Sequence, residues 1–416
     1  MSNETILDDD KCQLCASPVP PPLLGSSGVA LLSKITDTKR WFASGLLICV
    51  LGHHGVAVAD RRVTVEQLAK ATWKRVEGPA EKGSVLGPGK PGGWRGDYVG
   101  FPSIEFDGKT YRMWFVGAQK TDDPRAPYGY YERIGLATST DGLNWTVANE
   151  DQPVLDLGPK GSVDAKGVTH PFVMYDDGVY RMWYSAIDGS NAGSLGLRPR
   201  HVRIERICLA TSRDGIKWTR ENSGKPVLNL STSRDAMDTI QVDSVSIVKL
   251  DGTYKMWYGG YSGDRFHHKI GSAESRDGVT WTRTHAGKWA TGLAGDHDQQ
   301  LGLSVYGDGR EYYMMYSRGL LPKRGVALWV LSAATSENGF DWTSVNAGQP
   351  LLSFPPPKRR FDSADGRKSN NHSCHPTKII IEDGRARVWY VGESNAPNRK
   401  LPTVQHIGLM EAELKD

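Results

Sequence analysis

The residues best placed to do chemistry are aspartates that recur at one offset. The segment DAKGVTHPF begins at Asp164, DTIQVDSVS at Asp238 and DHDQQLGLS at Asp296, each Asp seven residues before an equivalent position, Pro171, Val245 or Leu303. A fourth segment, GDYVGFPS, sets Asp97 five residues before Pro102, and a fifth, RFDSADGRKSNNHSCHP, is expanded and ends at Pro376. Carboxylates gathered in this way could divide acid and base roles, because neighbouring like charges raise one carboxyl while the other stays ionised. The same oxygens could hold a divalent cation such as Ca²⁺, with Asp296, Asp298 and Gln299 as the densest supply. Alternatively, each Asp caps a turn by accepting backbone N–H groups. Asp243, Asp298, Gln299, His170, His297, His372 and His375 break the repeat, which favours them for ligand contact over the repeated positions. Each His could equally be a satisfied hydrogen-bonding residue.

These segments lead into an internal repeat. One motif reads YRMWF (111–115), YRMWY (180–184), YKMWY (254–258), YYMMY (312–316) and ARVWY (386–390), each preceded by an apolar run and a turn, mostly Asp-Gly. Such turns between β-rich runs predict hairpins. A second motif, IGLATSTDGLNWT (134–146), returns as ICLATSRDGIKWT, IGSAESRDGVTWT and LSAATSENGFDWT, with a shortened copy, ATWKR (71–75), at the opposite end of the chain. The pattern predicts an all-β, five-bladed β-propeller of four-stranded blades. The strand at Trp73 is expected to complete the C-terminal blade and so close the ring. Recurrence of Trp and Tyr at one place in each blade points to packing between blades rather than to sugar stacking. The residues before each first strand should then meet at one mouth of the central channel.

The blade signature resembles the five-bladed propellers of the arabinanase, levansucrase and invertase superfamily, including proteins similar to glycoside hydrolase families 43, 32 and 130, over about residues 71–416. The resemblance implies a funnel with an Asp base or nucleophile, a second Asp that tunes a pKa or orients sugar, and a Glu acid. By position the first role falls to Asp97 and the second to Asp164 or Asp243, with His170, Asp238, Asp296, Asp298, Gln299, His372 and His375 as substrate contacts. The sequence departs from that pattern where Asp would precede Pro: Phe101, His170, Ser244, Gly302 and His375 stand there, and no Glu begins an inner strand. Glu274 and Glu393 fall in or after later strands, and Glu205, in HVRIER, reads as solvated or paired, so the acid is unassigned. The basic runs Arg198–Arg206 and Lys358–Lys368 read as solvated faces, or as a site for an anionic sugar or phosphate.

Composition narrows the class. With 416 residues, 51 Lys plus Arg against 47 Asp plus Glu, and 38% hydrophobic residues, the chain is neither a disordered polyelectrolyte nor a strongly basic nucleic-acid binder. Its 5 Cys exclude a disulfide-dense scaffold. Residues 1–60 form a separate extension in which Lys39-Arg40, the run WFASGLLICVLG and Ala57-Val58-Ala59 resemble a signal peptide over about 39–59, although 38 residues stand upstream and His53-His54 interrupt it. That run is too short for a permanent membrane span. The lone Cys12/Cys15 pair reads as incidental thiols. The expectation is a secreted or periplasmic enzyme, cytoplasmic if the segment is not a leader, that cleaves or transfers glycosidic bonds in an oligosaccharide or polysaccharide without a firmly assigned cofactor. The alternatives are a non-catalytic carbohydrate- or protein-binding propeller, or one recruited to non-sugar chemistry through His375 or His170.

Overall fold

The computed structural model describes residues 63–198, 200–233, 235–263, 268–294, 299–320, 328–352, 372–394 and 404–415. The leader-like segment, Cys12, Cys15, Asp296, His297, Asp298 and the basic run before the fifth repeat lie outside them. The protein is all-β and propeller-like, with one short α-helix among the described residues, α1 (Val65–Lys70), opened by a Thr64/Gln67 capping box.

Among the described residues the strands pair in antiparallel groups. The first is β2 (Tyr98–Phe106), β3 (Tyr111–Lys120), β4 (Tyr130–Ser139) and β5 (Thr146–Val147); the second is β6 (Gly167–Asp176), β7 (Val179–Ile187), β8 (Arg206–Ser212) and β9 (Thr219–Arg220). The third is β10 (Gln241–Leu250), β11 (Thr253–Tyr261), β12 (Lys269–Ser275) and β13 (Thr282–Arg283); the fourth is β14 (Gln300–Gly307), β15 (Tyr312–Leu320), β16 (Leu328–Ser336) and β17 (Thr343–Ser344). The last joins β18 (His372–Cys374), β19 (Ile380–Glu382), β20 (Arg385–Ser394) and β21 (Val404–Glu413) to β1 (Lys74–Val76), whose Arg75 faces Met410.

The two sequence motifs explain how the groups join. Asp177-Gly178, Asp251-Gly252 and Asp383-Gly384 all take positive φ, the mirror-image turn that suits a right-twisted hairpin. In the second motif the Ser139 hydroxyl accepts the Gly142 N–H, and Asp141 accepts those of Leu143 and Asn144. This turn presents the Gly142 carbonyl to two indoles, Trp145 of the same group at 3.0 Å and Trp389 of the last group at 2.9 Å. Gly215 likewise accepts Trp218 and Trp114, and Gly278 accepts Trp281 and Trp183. Each Trp pair is edge-to-face, with centroids 6.0 to 6.3 Å apart. Gly is required at 142 twice over: its φ is +71° and a Cβ would lie 2.8 Å from the Trp389 ring. In the fourth group Met315 replaces the Trp and shares a core cluster with Trp73.

Replacing Trp183 by Phe removes one indole donor and part of a fully buried ring. The W183F protein is expected to lose about 2–4 kcal/mol, read as a lower urea midpoint with an unchanged slope.

Candidate functional site

Two repeated positions build the site. At the first, the inner strand of every group passes through positive φ: Phe101 at 48°, His170 at 48°, Ser244 at 50°, Gly302 at 53° and His375 at 49°. In the first four groups the strand pairing shifts register across this residue, as a β-bulge does, re-aiming the side chains around it. These five residues and their successors line one cavity of about 40 Å³. Its wall is aromatic, with Phe101 4.1 Å from the His170 ring and 4.6 Å from that of His375. A Cβ on Gly302 would stand 2.3 Å from His375 Nδ1, so only glycine leaves room for that ring.

The second position lies two residues before the apolar start of each third strand and holds Glu132, Glu205, His268, Trp329 and Gln405. Three of them are seen to sit beside the next inner strand: Glu132 bridges Gly167 in parallel, Glu205 bridges Gln241 and Trp329 bridges His372. Where the repeat is regular in backbone, the side chains differ, and two of them are glutamates.

Glu132 and Glu205 are almost fully buried, 3% and 2% exposed, and one guanidinium joins them. Arg203 donates from Nε to Glu205 Oε1 at 2.6 Å and from Nη1 to Glu132 Oε2 at 3.4 Å. Tyr98 donates its hydroxyl to Glu132, and Gln241 Nε2 donates to Glu205 Oε1 at 3.0 Å. Arg203 and Glu205 arrive on an expanded connection between β7 and β8, folded back by the bonds Ala192 N–H to Val202 O and Ile204 N–H to Ser190 O. Ile204 anchors that connection in a small core with Ala192 and Ile240.

Burial pushes the Glu205 carboxyl up to about 7, Arg203 opposing and the nearby Asp243 charge adding to the rise. Burial also holds the His170 imidazole well below its ordinary value, with His375 and Arg203 adding to the effect. Glu205 Oε2 and His170 Nδ1 face one another at 3.7 Å, and neither has a hydrogen-bond partner among the described residues. Since Oε1 already accepts two donors, the acidic proton belongs on Oε2, the oxygen left open.

The residues singled out from sequence are dispersed differently. Asp243 and His170 join this cluster. His375 packs in the aromatic wall, its backbone N–H donating to Ser317 Oγ. Asp97 stands at the flank and accepts the Lys120 N–H at 2.8 Å. Asp164 and Asp238 are buried in matching ties: Asp164 accepts from Tyr184 at 2.9 Å and Arg220 at 2.6 Å, and Asp238 from Tyr258 at 3.0 Å and Arg283 at 2.8 Å. In these two groups the repetition therefore reflects a bond within the group. Gln299 contributes its carbonyl to Gly319 N–H, and His372 lies on β18 opposite Glu393. Among the described residues no three His, Cys, Asp or Glu side chains form a metal cluster, and no helix is long and apolar enough to cross a membrane. Of the two readings of Glu205, solvated or paired, the structure has the paired one: the side chain is buried and accepts from Arg203. Arg203 likewise is not a solvated loop residue, its side chain being only 11% exposed. The signal was present in the second repeated position, where Glu, Glu, His, Trp and Gln break an otherwise regular strand start.

Solved structures place the architecture. A glycoside hydrolase superposes with TM-score 0.59 at 17% identity, covering 81% of this chain and 92% of that one. A structure from the GH130 family of mannoside phosphorylases, reported to contain glycoside hydrolases that target β-1,2 mannosidic linkages in Candida mannan, gives 0.54 at 15% identity, covering 82% and 93%. The protein shares their fold. In sequence it is 28% identical over 206 residues to an uncharacterized protein of Mycobacterium tuberculosis, 49% of this chain and 60% of the relative. It is 31% identical over 136 residues to a 1,2-beta-oligomannan phosphorylase of Thermoanaerobacter sp., 32% of this chain and 42% of the relative. The chain thus spans less than two thirds of either curated relative's length. No family model matches it.

A folded-state pKa raised from 4.5 to about 7 means that the native protein holds the Glu205 proton more tightly than the unfolded chain. Stability tied to Glu205 is therefore lost as pH rises from 4.5 through 7, by at most about 3 kcal/mol. His170 gives the opposite slope, losing stability as pH falls below 6.5. Denaturant titration of wild type against Glu205→Gln isolates the first effect: the variant should gain on wild type steadily across pH 4.5 to 7.

Proposed function

We propose that the protein is a five-bladed, ring-closed propeller enzyme that cleaves a glycosidic bond, with Glu205 as its general acid. The observation that carries this reading is a buried carboxyl whose Oε2 makes no hydrogen bond among the described residues and faces His170 Nδ1 at 3.7 Å, joined through Arg203 to a second buried carboxylate. Glu205 Oε2–H protonates the glycosidic oxygen as the bond to the anomeric carbon breaks, and the leaving sugar departs with that proton. Glu132, held by Tyr98 and Arg203, supplies the acceptor side: it receives a hydrogen bond from a substrate hydroxyl or from the incoming nucleophile. Asp243 is the tuning carboxylate, its charge adding to the burial that keeps Glu205 protonated into the neutral range. Neutral His170 can relay a proton from solvent to Glu205 after turnover, one ring nitrogen taking up a proton as the other releases one, so that the ring ends neutral as it began.

Hydrolysis and phosphorolysis share this first protonation and differ in whether water or inorganic phosphate attacks. The similarity to a 1,2-beta-oligomannan phosphorylase makes β-1,2-linked mannosides the first substrates to try. The test incubates the protein with β-1,2-mannooligosaccharides and a wider glycan panel, with and without phosphate, and follows free sugar and sugar 1-phosphate. Cleavage that falls by about 10²–10⁴ in Glu205→Gln supports the proposal; no cleavage of any glycan, or an unaffected variant, contradicts it.

The pH profile adds a second expectation. Activity should decline as pH rises through about 7, when Glu205 loses its proton. In Asp243→Asn that limb should move to lower pH, by about one unit, because a neighbouring negative charge is gone.

A further inference from the structure

We propose that Tyr128 is the stacking platform for a pyranose ring of the substrate, a role that rests on the glycosidase reading above and extends it to a subsite. Tyr128 lies in the turn Pro127–Gly129, just before β4 and four residues ahead of Glu132. Its ring covers the Arg203 guanidinium, 4.9 Å from the centroid, and so stands over the group that joins the two buried glutamates. Even so, the residue is 66% exposed, which leaves ring surface open beside Arg203.

The turn holds this ring in place at a cost. Tyr128 has φ +53°, a left-handed conformation that an aromatic residue rarely takes. The segment is pinned by Thr121 N–H to Gly129 O at 2.9 Å and by Asp123, which accepts from Arg125 N–H and the Tyr131 hydroxyl and pairs with Lys166. A strained, exposed and rigidly mounted aromatic ring returns little to stability on its own. Against a sugar it returns more: the C–H face of a pyranose is apolar, and a tyrosine supplies a large flat contact with few torsions to freeze. The hydroxyl groups around the same sugar would reach past the ring toward the polar cluster of Glu132, Arg203 and Glu205 beneath it.

The test uses the full chain in the Glu205→Gln background, where binding is read without turnover, and β-1,2-mannobiose and β-1,2-mannotriose as probes in calorimetry. Tyr128→Leu, which keeps bulk but not the flat face, should weaken binding about tenfold or more, and Tyr128→Phe should retain it. In the active protein Tyr128→Leu should raise KM by a similar factor with kcat changed less than about threefold. Equal affinity in the Leu and Tyr proteins overturns the platform while leaving the cleavage reading intact. Failure of the parent to bind either probe overturns the platform for these sugars, and the separate cleavage panel then decides the broader reading.

Discussion

A glycine carbonyl shared by two tryptophans sets the spacing of this protein. Each D-G-x-x-W turn can offer its carbonyl outward only because glycine tolerates positive φ and the close approach of a neighbouring indole, as Gly142 does for Trp389. One indole comes from the same group and one from the group before, so the bond that closes a turn also fixes how far apart two sheets stand. Everything at the centre inherits that geometry. Inner strands are delivered at equal depth, and a bulge at the same residue of the first four rotates their side chains toward one cavity.

Regular packing outside leaves the inner positions free to vary. The site exploits this by placing two glutamates at equivalent strand starts of adjacent groups and spanning them with Arg203. A buried guanidinium between two carboxylates satisfies charges that would otherwise be costly to bury. It does so unequally: Oε1 of Glu205 is occupied by Arg203 and Gln241, while Oε2 is left facing neutral His170. Burial, together with that asymmetry, is what suits Glu205 to the proposed role of acid rather than to that of a structural ion pair.

The scaffold is legible in sequence because it is written repeatedly. Tyr-x-Met-Trp-Tyr and the D-G-x-x-W turn announce their hairpins, and the pairing of β1 with β21 follows from an orphan Trp73 strand at one end and a three-stranded remainder at the other. The site is harder to read for the same reason. Recurring aspartates draw the eye to Asp164 and Asp238, whose recurrence comes from a Tyr and an Arg that recur with them. Glu205 is hidden because its strand, HVRIER, looks solvated; its burial depends on a folded-back connection whose core residue, Ile204, packs against Ile240 of the next blade. No local pattern encodes that contact. Asp243 and His170 are legible because they differ from their counterparts at repeated positions.

The proposed chemistry turns on the protonation state of one side chain. Carbon-13 spectra of the protein carrying labelled glutamate carboxyls, with the Glu205 signal assigned by its disappearance in Glu205→Gln, would follow that group directly across pH. A titration centred near 7 is the predicted result. A titration near the ordinary carboxylate value of 4.5 would leave Glu205 ionised wherever the protein works and would contradict its role as the proton donor.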